Sequence, residues 1–382
     1  MSKPTILIIY DYFFPGFRAG GPVQSLANMI VALQSHYSFS VLTTAYDLMS
    51  IKPYETVQIN SWNKIFLPNM VDPVNIWYAG KSSLNYNSVK TLIVKVNPNF
   101  IYLNGIYSYS LFILPLLVSR NLPSTKVVVC PRGMLQSGAL SVKSSKKKVY
   151  IKTLQILRIL KNVYWHATNN EEAEDINKFF PVSKGVEIAF NIPKTPFKSI
   201  VFPEKKAGEL NVVYLSLITQ KKNLLLLLKL INRVTEKVKL HIYGPVKDNQ
   251  YWEECKILID AMPQKVKYFG DIEPIKVQDK IAEYHTLCLL TKGENFGHAL
   301  YESLSVGRPV ITSFYTPWND LKGLNAGVNV NINDFDDCAT KISELAALNQ
   351  DEFNILCNGS HNLSMLYFEK LNSIERYKKI FK

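Results

Sequence analysis

Two glutamates eight positions apart, set between two short apolar runs, constrain this chain more than any other feature. Residues 286–290, Thr-Leu-Cys-Leu-Leu, read as one buried strand, and residues 310–312, Val-Ile-Thr, read as another. Between them, residues 292–309 fit a loop and then a short helix. Ala299, Leu300, Leu304 and Val306 give that helix an apolar side, and Gly307 with Pro309 ends it. Glu294 then falls in the loop and Glu302 about one turn inside the helix. The first N–H groups of a helix have no partner within it and suit a phosphate or diphosphate. Phe296 to Leu300 supply those groups, with Gly297 allowing close approach. A carboxylate on either side of a bound diphosphate would accept hydrogen bonds from sugar hydroxyls. On spacing alone the plainer reading stands: Glu294 complements the helix dipole and Glu302 lies on a solvated face.

The whole phrase says more than the spacing. Glu294-Asn-Phe-Gly-His-Ala-Leu-Tyr-Glu302, with Gly307-Arg-Pro-Val-Ile-Thr-Ser313 and Thr316-Pro-Trp318, closely resembles the donor site of retaining family-four glycosyltransferases. These enzymes have the GT-B fold and an E-(seven residues)-E motif. The resemblance implies that Glu294 contacts the transferred sugar and Glu302 the nucleotide ribose. It implies that the amides of Asn295, Phe296, Gly297, His298, Ala299 and Leu300 hold the diphosphate.

A chain of 382 residues suggests two domains, and its 47% hydrophobic content is globular. Five scattered cysteines with no Cys-x-x-Cys pair read as reduced thiols of a cytoplasmic protein, not as a disulfide frame or zinc site. Residues 1–10 are too short an apolar run for a secretory signal. The uncharged stretch 100–119 is broken by Asn104, Gly105 and Pro115, and reads as a strand and a helix rather than a membrane span. The net charge of +13 is unevenly placed. Residues 73–170 hold thirteen Lys or Arg and no Asp or Glu, and elsewhere the two signs balance at 31 each. Such a field favours an anionic membrane surface, a lipid diphosphate or nucleic acid. With no recognition motif in the chain, nucleic acid is set aside.

In chain order, residues 4–10 read as the first strand. A loop with Gly20-Gly21 follows, then Val23, Leu26, Ala27, Ile30 and Leu33 at helical spacing. In the resembled family this Gly-Gly loop approaches the donor phosphate or the acceptor, and Arg18 is nearby. Strand-like and helix-like segments then alternate: strands at 39–45, 100–103 and 126–130, helices at 84–96 and 110–119, with 47–61 irregular. This alternation predicts a parallel sheet covered on both faces, with ligands beyond the strand C-termini. At one such end stands Pro131-Arg132-Gly133-Met134, which resembles the turn of a subgroup that builds bacterial surface polysaccharides. Arg132 takes the place of the frequent family His. An arginine there steadies leaving-phosphate charge but is a poor general base.

Residues 143–161 predict a helix with a core stripe of Val149, Thr153, Ile156 and Leu160, widened by Tyr150, Leu154 and Leu157. Lys143, Lys146, Lys147, Lys148 and Lys152 make the rest a basic surface for membrane or acceptor. Next come a strand at 164–168, with His166 read as structural, and a helix around 171–176. Residues 1–190 form the first domain, 191–209 a Pro-rich linker, 210–365 the donor-nucleotide domain, and 366–382 a final helix that crosses back to the first. In the second domain Lys222 matches a family lysine that grips the donor diphosphate. The family arginine position is Leu217, a departure for which Lys221, Thr219 or Arg132 would compensate. Gly244 also falls at a family-like position. Asp334-Phe-Asp-Asp337 reads as a helix cap, not a metal motif.

The resemblance implies two Rossmann-like domains with parallel sheets facing each other across a cleft. It implies a retaining glycosyltransferase without metal or cofactor, whose co-substrate is a nucleotide diphosphate sugar. The acceptor is a glycan or polyprenyl-diphosphate-linked glycan at the inner face of the plasma membrane, in capsule, O-antigen or exopolysaccharide assembly. The alternatives are a nucleotide-sugar epimerase of the same fold and a catalytically weak nucleotide-sugar-binding partner.

Overall fold

The computed structural model describes residues 3–68, 70–136, 140, 144–370 and 372–382. The chain divides into two compact units, Met1–Ile192 with Asn372–Lys382, and Pro193–Leu371.

The first unit is built on an eight-stranded sheet. Its strands are β1 (Thr5–Ile9), β2 (Ser38–Thr44), β3 (Trp62–Ile65), β4 (Val74–Ala79), β5 (Phe100–Asn104), β6 (Lys126–Cys130), β7 (Tyr164–Ala167) and β8 (Val186–Ile188), in the order β3-β4-β2-β1-β5-β6-β7-β8. Every pairing is parallel except that of edge strand β3 with β4. The side-chain period of two divides the apolar runs between two layers. Ile6, Ile8, Phe100 and Tyr102 pack on one face of the sheet; Leu7, Ile9, Ile101 and Leu103 pack on the other. Sequence periodicity gave no signal for β3 and β4. Their four and six residues mix Trp, Asn and Lys with apolar side chains, and alternate too weakly to stand out from a polar stretch.

The helix Ser144–Ile156 also departs from expectation. Its buried residues are Ile151 and Leu154, with Leu160 beyond it, while Val149, Thr153, Ile156 and Leu157 are exposed. Of the expected stripe, Leu160 and the widening Leu154 are buried and Tyr150 half-buried, but its Val149–Thr153–Ile156 line faces outward, because both sides of this helix carry apolar residues and only packing decides between them. Lys143 lies outside the described residues.

The second unit has a wholly parallel six-stranded sheet. Its strands are β9 (Glu209–Leu215), β10 (Lys237–Tyr243), β11 (Val266–Tyr268), β12 (Thr286–Leu289), β13 (Val310–Ser313) and β14 (Gly327–Val330), ordered β11-β10-β9-β12-β13-β14. The helix Leu224–Arg233 covers it with Leu224, Leu227, Leu228 and Ile231. Asp334 caps the helix Phe335–Ala347 by accepting a hydrogen bond from the Asp337 amide.

The Pro-rich segment after residue 192 is packed onto the second unit. Phe197 donates its amide to the Ser305 carbonyl. The buried Lys205 donates to the carbonyls of Ala346 and Leu348, which close the end of helix Phe335–Ala347. The long helix Gln350–Lys370 stays with the second unit. The helix Ser373–Ile380 belongs to the first, with Tyr377, Ile380 and Phe381 in its core. Among the described residues, no helix is long and apolar enough to cross a membrane. All five cysteines are buried free thiols.

Candidate active site

Strand β12 ends at Leu289, a loop follows, and the helix His298–Ser305 begins after Gly297, whose φ is +79°. The indole of Trp318 donates to the Phe296 carbonyl at 2.6 Å, and Phe296 packs among Tyr301, Trp318 and Tyr367. These aromatic contacts fix the loop just before the helix N-terminus, the end at which a helix's first amides have no carbonyl partner within it. Behind the same helix, the buried Arg308 donates to the carbonyls of Ala282, Val306 and Gly307. Arg308 therefore closes helix ends and takes no part in the site.

The lysine turn Gln220–Lys222 sits against this loop: Lys292 donates its amide to the Lys221 carbonyl at 2.8 Å. The Lys221 side chain lies over Gly293, where a Cβ would come 3.4 Å from its Cε. Lys222 forms an ion pair with Glu294, with 18% and 11% of the two side chains exposed. Glu294 is further held by its own amide, which donates to Tyr315 at 2.9 Å. Thr219 accepts the Lys222 amide through its carbonyl at 3.0 Å and so sets the turn. Leu217 is half-buried beside it.

Glu302 is nearly buried and pairs with Lys194 at 2.9 Å. The same ammonium donates to the Pro274 carbonyl. Lys194 lay in the expected linker, and no motif marks it. Both glutamates of the opening phrase thus meet a lysine from elsewhere in the unit, Glu294 through Lys222 and Glu302 through Lys194.

Gly244 has a packing reason of its own. Its φ is +130°, and a Cβ would stand 2.0 Å from the Ser216 carbonyl oxygen. The close approach is to backbone at the end of β9, and only glycine fits there.

In the first unit Arg132 adopts a left-handed backbone, φ +57°. Three of its donors reach Asn104 (3.0 Å), Asn191 (2.6 Å) and the Tyr102 hydroxyl (3.1 Å). Tyr102 in turn meets His166 Nδ1 at 2.6 Å, and His166 Nε2 meets the Ala189 carbonyl at 2.8 Å. A carbonyl only accepts, so Nε2 carries the proton and Nδ1 accepts from Tyr102. Burial, reinforced by the Arg132 charge, pushes the His166 pKa down to about 3, so the ring is neutral. The Arg132–Tyr102–His166 chain is an internal brace. The buried Glu172 fixes the same turn, accepting from the Gly133 amide and from the Thr168 amide and hydroxyl.

The Gly20-Gly21 loop is pinned by Asp47, whose carboxylate accepts from the amides of Phe17 and Arg18. Gly20, with φ +74°, precedes the helix Gly21–Leu33, and the space beside its Cα is open. At the end of β1, Asp11 accepts from Ser108 at 2.8 Å, and burial raises its pKa. Neither Asp11 nor Asp47 was marked by any motif. Lys146, Lys148 and Lys152 are exposed on the basic helix, and Lys147 lies over the Tyr107 ring.

The fold is the GT-B architecture: two parallel-sheet α/β domains, similar over nearly the whole chain to solved glycosyltransferases. Residues 209–347 match the family model described as glycosyl transferases group 1. HepE of Anabaena, solved with UDP and glucose, is 12% identical with a TM-score of 0.72 and covers 99% of each chain. Sucrose-phosphate synthase of Thermosynechococcus elongatus is 16% identical with a TM-score of 0.70, covering 100% of this chain and 99% of its own. WaaG, a glycosyltransferase involved in lipopolysaccharide biosynthesis, is 12% identical with a TM-score of 0.67 over 99% of both chains. No curated protein sequence matches the chain.

Proposed function

We propose that the chain transfers a sugar, with retention of configuration, from a nucleotide diphosphate sugar to a glycan or lipid-linked acceptor of bacterial surface-polysaccharide assembly. The observation that carries this reading is the Lys222–Glu294 ion pair at the loop before helix His298–Ser305, with the second carboxylate, Glu302, inside that helix and paired to Lys194. The family-model match over the same unit and the UDP-sugar-bound fold relatives support it.

In this proposal the helix amides and Lys222 take the donor diphosphate, with Lys221 beside them. Binding draws Lys222 from Glu294, which then accepts hydrogen bonds from hydroxyls of the transferred sugar. Glu302, drawn from Lys194, accepts from the ribose hydroxyls. The acceptor hydroxyl attacks on the face from which the diphosphate leaves, and the leaving phosphate takes the proton. Phosphate charge is assigned to lysine and amides rather than to a metal. Arg132 receives no chemical step, since its contacts brace the 131–134 turn. The protein would work peripherally at the cytoplasmic face of the membrane.

The test is calorimetry with UDP, GDP and ADP, then their sugars, in EDTA. One clear preference supports a metal-free donor site, and no binding by any of them refutes it. The half-buried Leu217 at the family arginine position favours a second reading, a binding partner with little turnover. Donor binding without transfer or epimerisation across acceptors would select it.

A further inference from the structure

Lys194 joins two of the connections that leave the sheet of the second unit. Its ammonium pairs with Glu302 in helix His298–Ser305, which follows β12. The same ammonium donates to the carbonyl of Pro274, which opens the short turn Pro274–Lys276 after β11. Both connections start from the C-terminal ends of parallel strands, the end at which ligands of such sheets bind. The Lys194 and Glu302 side chains are 16% and 8% exposed, so the pair is largely shielded from water.

Packing does not account for this pair. The segment after residue 192 is fastened to the second unit by other hydrogen bonds. Phe197 gives its amide to the Ser305 carbonyl, Gln278 donates to the Thr195 carbonyl, and His361 Nε2 donates to the Phe197 carbonyl at 2.7 Å. Gln278 also donates to the Ser305 hydroxyl, which ties the segment's anchor to the helix that carries Glu302. Apolar side chains of similar size hold two segments together as well as a shielded ion pair does, or better. What only the ammonium supplies is charge. A buried carboxyl with no cation beside it favours its protonated form. Hydrogen bonds to a carboxylate are roughly twice as strong as those to a neutral acceptor.

We propose that Lys194 is the positioning residue that makes this site choose ribose over deoxyribose, by holding Glu302 in place and ionised. The carboxylate has two oxygens, and the vicinal hydroxyls of a ribose offer two donors to match them. As those hydroxyls arrive, the carboxylate turns to them from the ammonium. The Pro274 carbonyl keeps the ammonium close enough to maintain the charge. The proposal rests on the role given to Glu302 above and adds the residue through which that role is exercised.

The experiment is calorimetry of the full chain with UDP, GDP and ADP and with their 2′,3′-dideoxy counterparts. The wild-type chain binds its preferred ribonucleotide roughly a hundredfold more tightly than the dideoxy form. Lys194→Met weakens binding of the ribonucleotide roughly tenfold and leaves the dideoxy form unchanged. Lys194→Arg, which keeps the charge, restores the preference. Lys194→Gln keeps a donor for the Pro274 carbonyl without the charge and behaves as the methionine variant does. It carries the test if Lys194→Met does not fold. A wild-type preference in the Met and Gln variants overturns the proposal and leaves Glu302 its role, as does a stronger preference, which would make Lys194 a competitor of ribose. Parallel weakening of both nucleotide forms also overturns it, reducing Lys194 to a structural tie. Equal binding of the two forms by the wild-type chain, or no binding at all, takes the ribose from Glu302 and overturns both readings.

Discussion

Replacing Glu294 by Gln separates the two tasks assigned to the Lys222–Glu294 pair. Both side chains are largely shielded, so their interaction is screened less than a surface pair. The ammonium is engaged by the Glu294 carboxylate, and a diphosphate must draw it away. A charge-assisted hydrogen bond in such a setting contributes roughly 1.5–3 kcal/mol. Gln keeps a weaker neutral bond, so about 1–2 kcal/mol of competition disappears. Glu294→Gln should then bind the nucleoside diphosphate roughly five- to thirtyfold more tightly. The same change removes the charged acceptor for the sugar hydroxyls, so transfer should fall by about a hundredfold or more. Calorimetry with the diphosphate and turnover with its sugar read the two effects. Circular dichroism checks the fold. Weaker diphosphate binding in the variant would refute the competition, and wild-type turnover would refute the site.

Two further outcomes rest on packing and burial. Gly244→Ala places a methyl 2.0 Å from the Ser216 carbonyl at a φ of +130°. It should cost about 3 kcal/mol or more and lower the melting temperature of the second unit by roughly 6–12 °C in calorimetry. His166, with its pKa held down near 3 against 6.5 when free, binds its proton more readily in the unfolded chain. Its stabilisation is therefore complete above pH 6.5 and is lost as pH falls from there toward 3, by about 1.4 kcal/mol per pH unit. Urea unfolding from pH 7 to 4 should show that slope in the wild type and a smaller one in His166→Gln; equal slopes would contradict the buried neutral ring.

Much of the loop before helix His298–Ser305 was legible because its geometry is local. Apolar runs, the helix stop at Gly307-Arg-Pro and the glutamate spacing lie within some twenty-five residues, where chain connectivity alone sets distances. Lys222 was found through a family resemblance and not through its own surroundings. Lys194 was illegible, because a lysine among prolines reads as a linker until the chain packs it against Glu302. Arg132 shows the opposite failure. Its place in a turn at the end of β6 was readable, but its guanidinium points to Asn104, Asn191 and Tyr102, three partners remote in sequence.

By itself the sequence determined that this is a chain of alternating buried strands and helices, with a loop and short helix carrying two carboxylates eight positions apart and all its excess charge in the first half. Those properties follow from residue type and short-range order. Tertiary structure alone decided which side of helix Ser144–Ile156 meets the core, which lysine meets which glutamate, and that Phe381 is buried beside Phe100 in the first unit. Helical periodicity fixes the angle between side chains but not the direction of the core, and ion pairs form between groups that only folding brings within reach.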